Sequence, residues 1–339
     1  MGGMTIEGAR LRPLSEAGRD AARVLEIVAG GYAGFAPVVG EGEAVLAWCR
    51  ALLGSSAFAC NERWVRFVAA SDAAGRSAFG TVENALWDLV GRKLGVPLYE
   101  LLGGALRQRV AIAAPVRIAA EESVEAVVAQ AKRLVDGHGF RTLALFDGGT
   151  AGQRTASVLA ALRVAFGPAM GLRLHLPAGS IRPARDAALT ALGLEFVECA
   201  GDDASEEREA WAGDPPLAGG RGLAAGPLIA EMCRRGVVQV LVAEPGSAGG
   251  VPGIARLGAL ARAFQLELAL ACAGGSRWEL ALAVQLAATQ PMAEQAVLCP
   301  DAAALSDVED GMLTLSGAPG IGVDLAPGLG DAAPEDTAS

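Results

Sequence analysis

Between residues 110 and 299 the chain alternates eight short apolar, β-rich runs with helical stretches, and this alternation restricts its fold more than any other feature. The runs are Val110–Ile118, Thr142–Phe146, Leu172–Leu176, Leu194–Glu198, Pro216–Gly219, Val237–Val242, Leu266–Cys272 and Gln295–Cys299. Helical spacing is read at Glu122–Val135, Gln153–Phe166, Arg185–Leu192, Pro227–Arg235, Ile254–Phe264 and Glu279–Ala288, while Glu206–Trp211 is short and weakly helical. Eight strand–helix units of this length predict a closed parallel β/α barrel. An open doubly wound sheet would carry a Gly-rich phosphate turn after its first strand, and none follows Ile118. In a barrel the residues that meet a ligand stand at the carboxyl ends of the strands, so candidate functional residues are sought there.

Residues 1–108 have another rhythm. Strand-like pieces at Thr5–Arg12, Val24–Val28 and Tyr32–Val39 precede helical stretches at Gly42–Leu53, Asn61–Ala70 and Ser77–Leu94. The last of these stops at Gly95, with Pro97 just beyond. The reading is an α+β domain over 1–108, a barrel over 109–315, and a return segment over 316–339 whose Gly-, Pro- and acid-rich end is expected to fray.

Composition narrows the function. An apolar fraction of 52 % suits a large buried core, and a formal charge of −10 would repel a phosphate backbone, so a nucleic-acid partner is not expected. No charge-free apolar run is long enough to span a membrane, and the amino terminus has no basic stretch followed by an apolar one; a cytoplasmic protein is expected. The six cysteines, at 49, 60, 199, 233, 272 and 299, include no C-x-x-C pair, which speaks against structural zinc and for buried thiols. Lys93 and Lys132 are the only lysines, and His138 and His175 the only histidines. Any chemistry that needs two lysine bases must use those two.

The stretch from Glu83 to Gly104, ENALWDLVGRKLGVPLYELLGG, resembles the segment joining the two domains of enolase-superfamily proteins of the mandelate racemase and muconate lactonizing enzyme type. Gly139-Phe140-Arg141, Phe196-Val197-Glu198, Gly249-Gly250 and Pro319-Gly320-Ile321-Gly322-Val323 carry the resemblance over nearly the whole chain. It implies an α/β architecture, a modified TIM (β/α) barrel with an N-terminal α+β capping domain. It also implies homo-oligomers, a small carboxylate ligand, and abstraction of the proton α to that carboxylate. Such a proton is weakly acidic, so the enolate needs a hard divalent cation such as Mg²⁺ and a base of matched pKa.

Carried over position by position, the resemblance implies a site stripped of its standard parts. The lysines of strand two fall at Ala144 and Phe146, while Lys93 and Lys132 lie in the joining segment and on the first barrel helix. Of the three metal-ligand positions, strand four keeps Glu198, strand three has His175, and strand five reads Gly220-Arg221. A guanidinium there repels a cation. On strand six the usual Asp is Gln239, no lysine occupies Leu241-Val242-Ala243, and Glu244 takes the acid position of a His–Asp pair whose histidine aligns with Cys272. On strand eight a common glutamate position is Cys299.

Two uses of this residue set are considered. Glu198 and Arg221 would form an ion pair in place of the metal, leaving a pseudoenzyme or a small-molecule or anion-binding protein without a cofactor. Alternatively, metal-free chemistry would use Cys272 as nucleophile or base, with Glu244 or His175 assisting and Arg221 holding an anion. If the family chemistry with Mg²⁺ survives on a non-standard residue set, the chain is a racemase, cycloisomerase or dehydratase. The connection Pro13–Arg23 reads as short and polar, too short for a closing lid, which predicts an open mouth.

Overall fold

The computed structural model describes residues 4–16, 19–38, 40–70, 73–119, 121–148, 153–176, 191–199, 215–223, 227–272, 275–299, 302–323 and 337–338. The amino-terminal part pairs β1 (Ile6–Glu16), β2 (Arg19–Ala29) and β3 (Tyr32–Pro37) in an antiparallel sheet. Three helices follow: α1 (Gly42–Leu52), α2 (Cys60–Ala70) and α3 (Ala73–Leu94). A short α4 (Leu98–Leu101) leads into the barrel.

Two expectations are corrected here. The Pro13–Arg23 stretch is not a polar connection but the outer half of a long hairpin, with Pro13 paired to Arg23, Leu14 to Ala22 and Glu16 to Arg19. Among the described residues β1 has no second partner opposite Pro13, an edge position in which a missing N–H costs no ladder bond. The chain end is not wholly frayed either: β13 (Thr337–Ala338) adds to β1 opposite Arg10 and Ala9. The Arg185–Leu192 helix, up to residue 190, and Glu206–Trp211 lie outside the described residues.

The barrel strands are β4 (Arg109–Ile118), β5 (Thr142–Asp147), β6 (Gly171–Leu176), β7 (Phe196–Cys199), β8 (Leu217–Gly219), β9 (Val240–Ala243), β10 (Glu267–Leu270) and β11 (Val297–Leu298). All neighbours run parallel, β11 returns to β4, and an Ala271–Leu298 bridge joins the seventh strand to the eighth. The described crossover helices are α5 (Val124–His138), α6 (Gln153–Phe166), α7 (Pro227–Arg235), α8 (Gly250–Phe264) and α9 (Arg277–Thr289), and β12 (Met312–Thr314) pairs antiparallel with β4. Helix α5 opens on Ser123, whose hydroxyl accepts from the Ala126 N–H, and closes on Gly139 at φ 70°.

Alternate strand positions fill the interior. Ala113, Ala144, Phe196, Ala218, Val240, Val242, Ala269, Ala271, Ala296 and Leu298 form one apolar cluster, separate from the larger layer between barrel and helices. Strand β6 contributes Arg173 instead of an apolar side chain. Its guanidinium is buried, donates to the Ala296 carbonyl (2.7 Å), Glu195 (2.6 Å) and Gln295 (2.5 Å), and lies 4.9 Å from the Phe196 ring centroid.

The polar residues of the joining segment are the joinery of the two parts. Asp88 on α3 accepts from the Phe35 N–H (3.0 Å), the Ile321 N–H (2.8 Å) and Arg92 (2.7 Å), tying the cap sheet and the return segment to one helix. Glu83 pairs with Arg63 in a fully buried site, and Asn84 accepts from the Val251 N–H at 3.1 Å. A side-chain carbon on Gly80 would fall 1.9 Å from the Gly246 carbonyl oxygen, so only glycine permits α3 to lie this close to the loop after β9.

Candidate active site

Four side chains converge at the carboxyl ends of β6 to β9. Period-2 alternation carries the inward face from Arg173 to His175 on β6, from Phe196 to Glu198 on β7, and from Val242 to Glu244 just past β9. Arg221 follows the turn at Gly220 (φ 102°) beyond β8. Its guanidinium faces Glu198 edge-on: Nε donates to Oε1 at 2.8 Å and a terminal nitrogen to Oε2 at 2.5 Å. The other terminal nitrogen lies 3.6 Å from Glu244 Oε1. His175 Nδ1 is 2.5 Å from Glu198 Oε2.

The charges follow from burial and neighbours. Burial acts to raise the Glu198 carboxyl (2 % exposed), but Arg221 and the His175 hydrogen bond override it and hold the group down at about 2. Burial lowers the His175 pKa despite Glu198, so the imidazole is neutral. A carboxylate 2.5 Å away then requires the proton on Nδ1, leaving Nε2 as a buried acceptor with no hydrogen-bond partner among the described residues. Glu244 moves the other way: burial raises its pKa and Arg221 only partly opposes it. Burial also works against the Arg221 charge, but Glu198 and Glu244 more than compensate and its pKa rises.

Phe146, at the second lysine position of β5, stacks on His175, and Phe196 meets the same ring edge-on. Ala144, at the first lysine position, belongs to the interior cluster. The two cysteines are buried, although Cys272 lies close enough to Arg221 and Glu244 to act on them electrostatically. Cys272 (1 % exposed) and Cys299 (0 %) pack in the layer between barrel and helices, because Ala271 and Leu298, one residue earlier, take the inward positions. The hydrogen bond to Cys299 and burial push the Cys272 thiol well up, opposite to the low-pKa thiolate that a nucleophile beside Arg221 would need. The Cys199 side chain lies outside the described residues. The mouth is not open on the side of β9 and β10. There Pro37, Thr81 and Asn84 of the cap meet Gly246, Cys272 and Trp278 around a cavity of about 20 Å³, room for one water molecule. Arg173 was invisible to strand-end reasoning, although a lone charge inside Gly171–Leu176 was the available signal.

Residues 126–329 match the family described as enolase C-terminal domain-like, and residues 27–103 match the mandelate racemase / muconate lactonizing enzyme N-terminal domain. The chain belongs to the enolase superfamily, of the mandelate racemase/muconate lactonizing enzyme type. Among curated relatives, a D-galactonate dehydratase of Variovorax paradoxus (strain S110) is 29 % identical over 210 residues, covering 58 % of this chain and 54 % of the relative. The D-galactonate dehydratase of Ralstonia nicotianae (strain ATCC BAA-1114 / GMI1000) is 26 % identical over 209 residues, again covering 58 % and 54 %. The chain thus spans about half the length of the curated relatives it matches. Among solved structures, an isomerase from Streptomyces coelicolor A3(2) superposes with TM-score 0.80 at 24 % identity, covering 96 % of this chain and 99 % of the other. An enolase from Thermobispora bispora DSM 43833, complexed with magnesium and formate, gives 0.78 at 22 %, covering 96 % and 92 %.

The residues present do not fit magnesium. Among the described residues no three His, Cys, Asp or Glu side chains converge as a ligand set. Both oxygens of Glu198 are taken by Arg221, and the space between Glu198 and Glu244 holds a guanidinium rather than a place for a cation. Among the described residues no helix is long and apolar enough to cross a membrane.

Proposed function

We propose that this protein is a magnesium-independent member of the superfamily that binds a small carboxylate at the barrel mouth, with Arg221 as the fixed positive charge. The observation that carries this reading is the two-pronged hydrogen bonding of Arg221 to Glu198, which supplies a permanent cation at a position where the family resemblance implies a metal ligand. The pairing leaves one terminal nitrogen of Arg221 3.6 Å from Glu244, and among the described residues its two N–H donors stay available to a ligand carboxylate. The side chain is 21 % exposed, so a ligand can reach it.

Calorimetric titration of the chelator-treated protein tests the reading. Millimolar Mg²⁺ or Mn²⁺ should give no heat, and members of a panel of small carboxylic and sugar acids should bind and raise the unfolding temperature. Arg221→Lys, which keeps the charge but loses the planar fork, should weaken that binding about tenfold or more. Stoichiometric metal binding would overturn the proposal.

A second reading is favoured by the relatives named D-galactonate dehydratase: elimination of water from a sugar acid. Glu198 with its pKa held down and Glu244 with its pKa raised by burial, on either side of Arg221, are the kind of divided pair that acid–base chemistry uses. Exchange of the α-proton of D-galactonate with deuterium oxide, followed by NMR, would establish it. No exchange with that or related sugar acids would leave the binding reading alone.

A further inference from the structure

The seam that closes the barrel is thin. β11 has two residues, and its junction with the seventh strand consists of the Ala271–Leu298 bridge, with the Cys272 N–H donating to the Leu298 carbonyl at 2.9 Å and the Leu268 N–H to Met292 at 3.0 Å. Because Ala271 and Leu298 face the interior side by side, the next residue on each strand faces the helix layer side by side. Those residues are Cys272 and Cys299, and their thiols are in hydrogen-bonding contact. Adjacent parallel strands run about 4.8 Å apart, inside the Cα separation of about 4.4–6.8 Å that a disulfide accepts, and both side chains leave the sheet on the same face.

We propose that Cys272 and Cys299 form a reversible disulfide that staples the seventh and eighth barrel strands together. With a peroxide as oxidant, the sulfur of Cys272 attacks one peroxide oxygen and the O–O bond breaks, giving a sulfenic acid and one water. The sulfur of Cys299 then attacks the Cys272 sulfur, the S–O bond breaks, the S–S bond forms, and a second water leaves. Both thiol protons end in those waters, each sulfur gives up one electron, and the peroxide takes two. A dithiol reductant reverses the step. Burial keeps the thiolate fraction small, so the cross-link forms slowly. The staple would hold β10 against β11 and, through the β9–β10 ladder, steady the strand that presents Glu244.

The test is peptide mapping of the intact protein after exposure to hydrogen peroxide, with remaining thiols alkylated under denaturing conditions. The expected result is a linked peptide pair carrying Cys272 and Cys299, a mass loss of about two hydrogens, and an unfolding temperature raised by about 5 °C, all reversed by dithiothreitol. Cys272→Ala and Cys299→Ala should each abolish the linked pair and the shift. Cysteines that stay fully alkylatable, oxidise singly to sulfinic acid, or link to other partners would overturn the proposal on the unsubstituted protein alone, whether or not the variants fold.

Discussion

Phe146 lies over His175 with ring centroids 4.9 Å apart and planes 19° from parallel. The side chain at the end of β5 is therefore one wall for the imidazole and part of the burial that is the leading cause of the lowered histidine pKa. Phe146→Ala should cost about 2–3 kcal/mol, since the ring is only partly buried, and should raise the His175 pKa as water reaches Nε2. Urea unfolding and NMR titration of the imidazole measure the two effects; an unchanged pKa would show that the ring does not control solvent access.

Removing one member of the Glu198–Arg221 pair should be worse than removing both. Glu198→Gln leaves a mostly buried guanidinium without its hydrogen-bonded counter-charge, with only Glu244 at 3.6 Å beside it among the described residues, and should destabilise by about 3 kcal/mol. Adding Arg221→Met should recover part of that loss. A double variant no better than the single one would mean that the pair does not act as a unit.

The same carboxylate predicts the acid response. Its folded pKa is depressed to about 2 from an ordinary 4.5, so its contribution is complete above the ordinary value and is lost as pH falls from about 5 towards 2. That contribution is of the order of 3 kcal/mol. The stability difference between the unsubstituted protein and Glu198→Gln, followed across pH 2–7, should shrink by that amount at the acid end.

Glu244 has the opposite sign. Its raised pKa means that folding favours the neutral acid, so the carboxylate becomes a liability as pH climbs above the unfolded value. Glu244→Gln should therefore stabilise at pH 8 and change little at pH 4, as urea unfolding at the two pH values would read. Destabilisation at pH 8 would show that attraction to Arg221 outweighs burial.

Asp88 should be the most sensitive residue of the joining segment. Asp88→Ala strands the Phe35 and Ile321 N–H groups and the Arg92 charge at one stroke, an expected loss of about 3 kcal/mol, with early exchange of amide protons in β3 and at Ile321. Amide hydrogen exchange that leaves both segments protected would remove Asp88 from this role.

The barrel was readable because each strand is a short apolar run whose neighbours on either side are helical. Site positions such as His175, Glu198 and Glu244 were readable because the period of two carries the interior face out to the strand end. The same rule, applied one residue further, was less sharp for Cys272 and Cys299: Ala271 and Leu298 belong to the interior cluster, and Cys272 comes to line the small cavity between the cap and the end of the barrel. Arg173 escaped because function was sought at carboxyl ends, while its hydrogen bonds run to Ala296 and Gln295, distant in sequence. The hairpin through Pro13 escaped because a proline among polar residues reads as a break unless the sheet edge is known.

The two-pronged contact between Arg221 and Glu198 also sets how this mouth can be rebuilt. Converting Arg221 to an acid on its own would bring two carboxylates together with no cation beside them, and converting Glu198 on its own strands the guanidinium. Either single step descends before it climbs. A designer who wants a divalent cation here must change His175, Arg221 and their aromatic cover together, and must supply the metal while the chain folds.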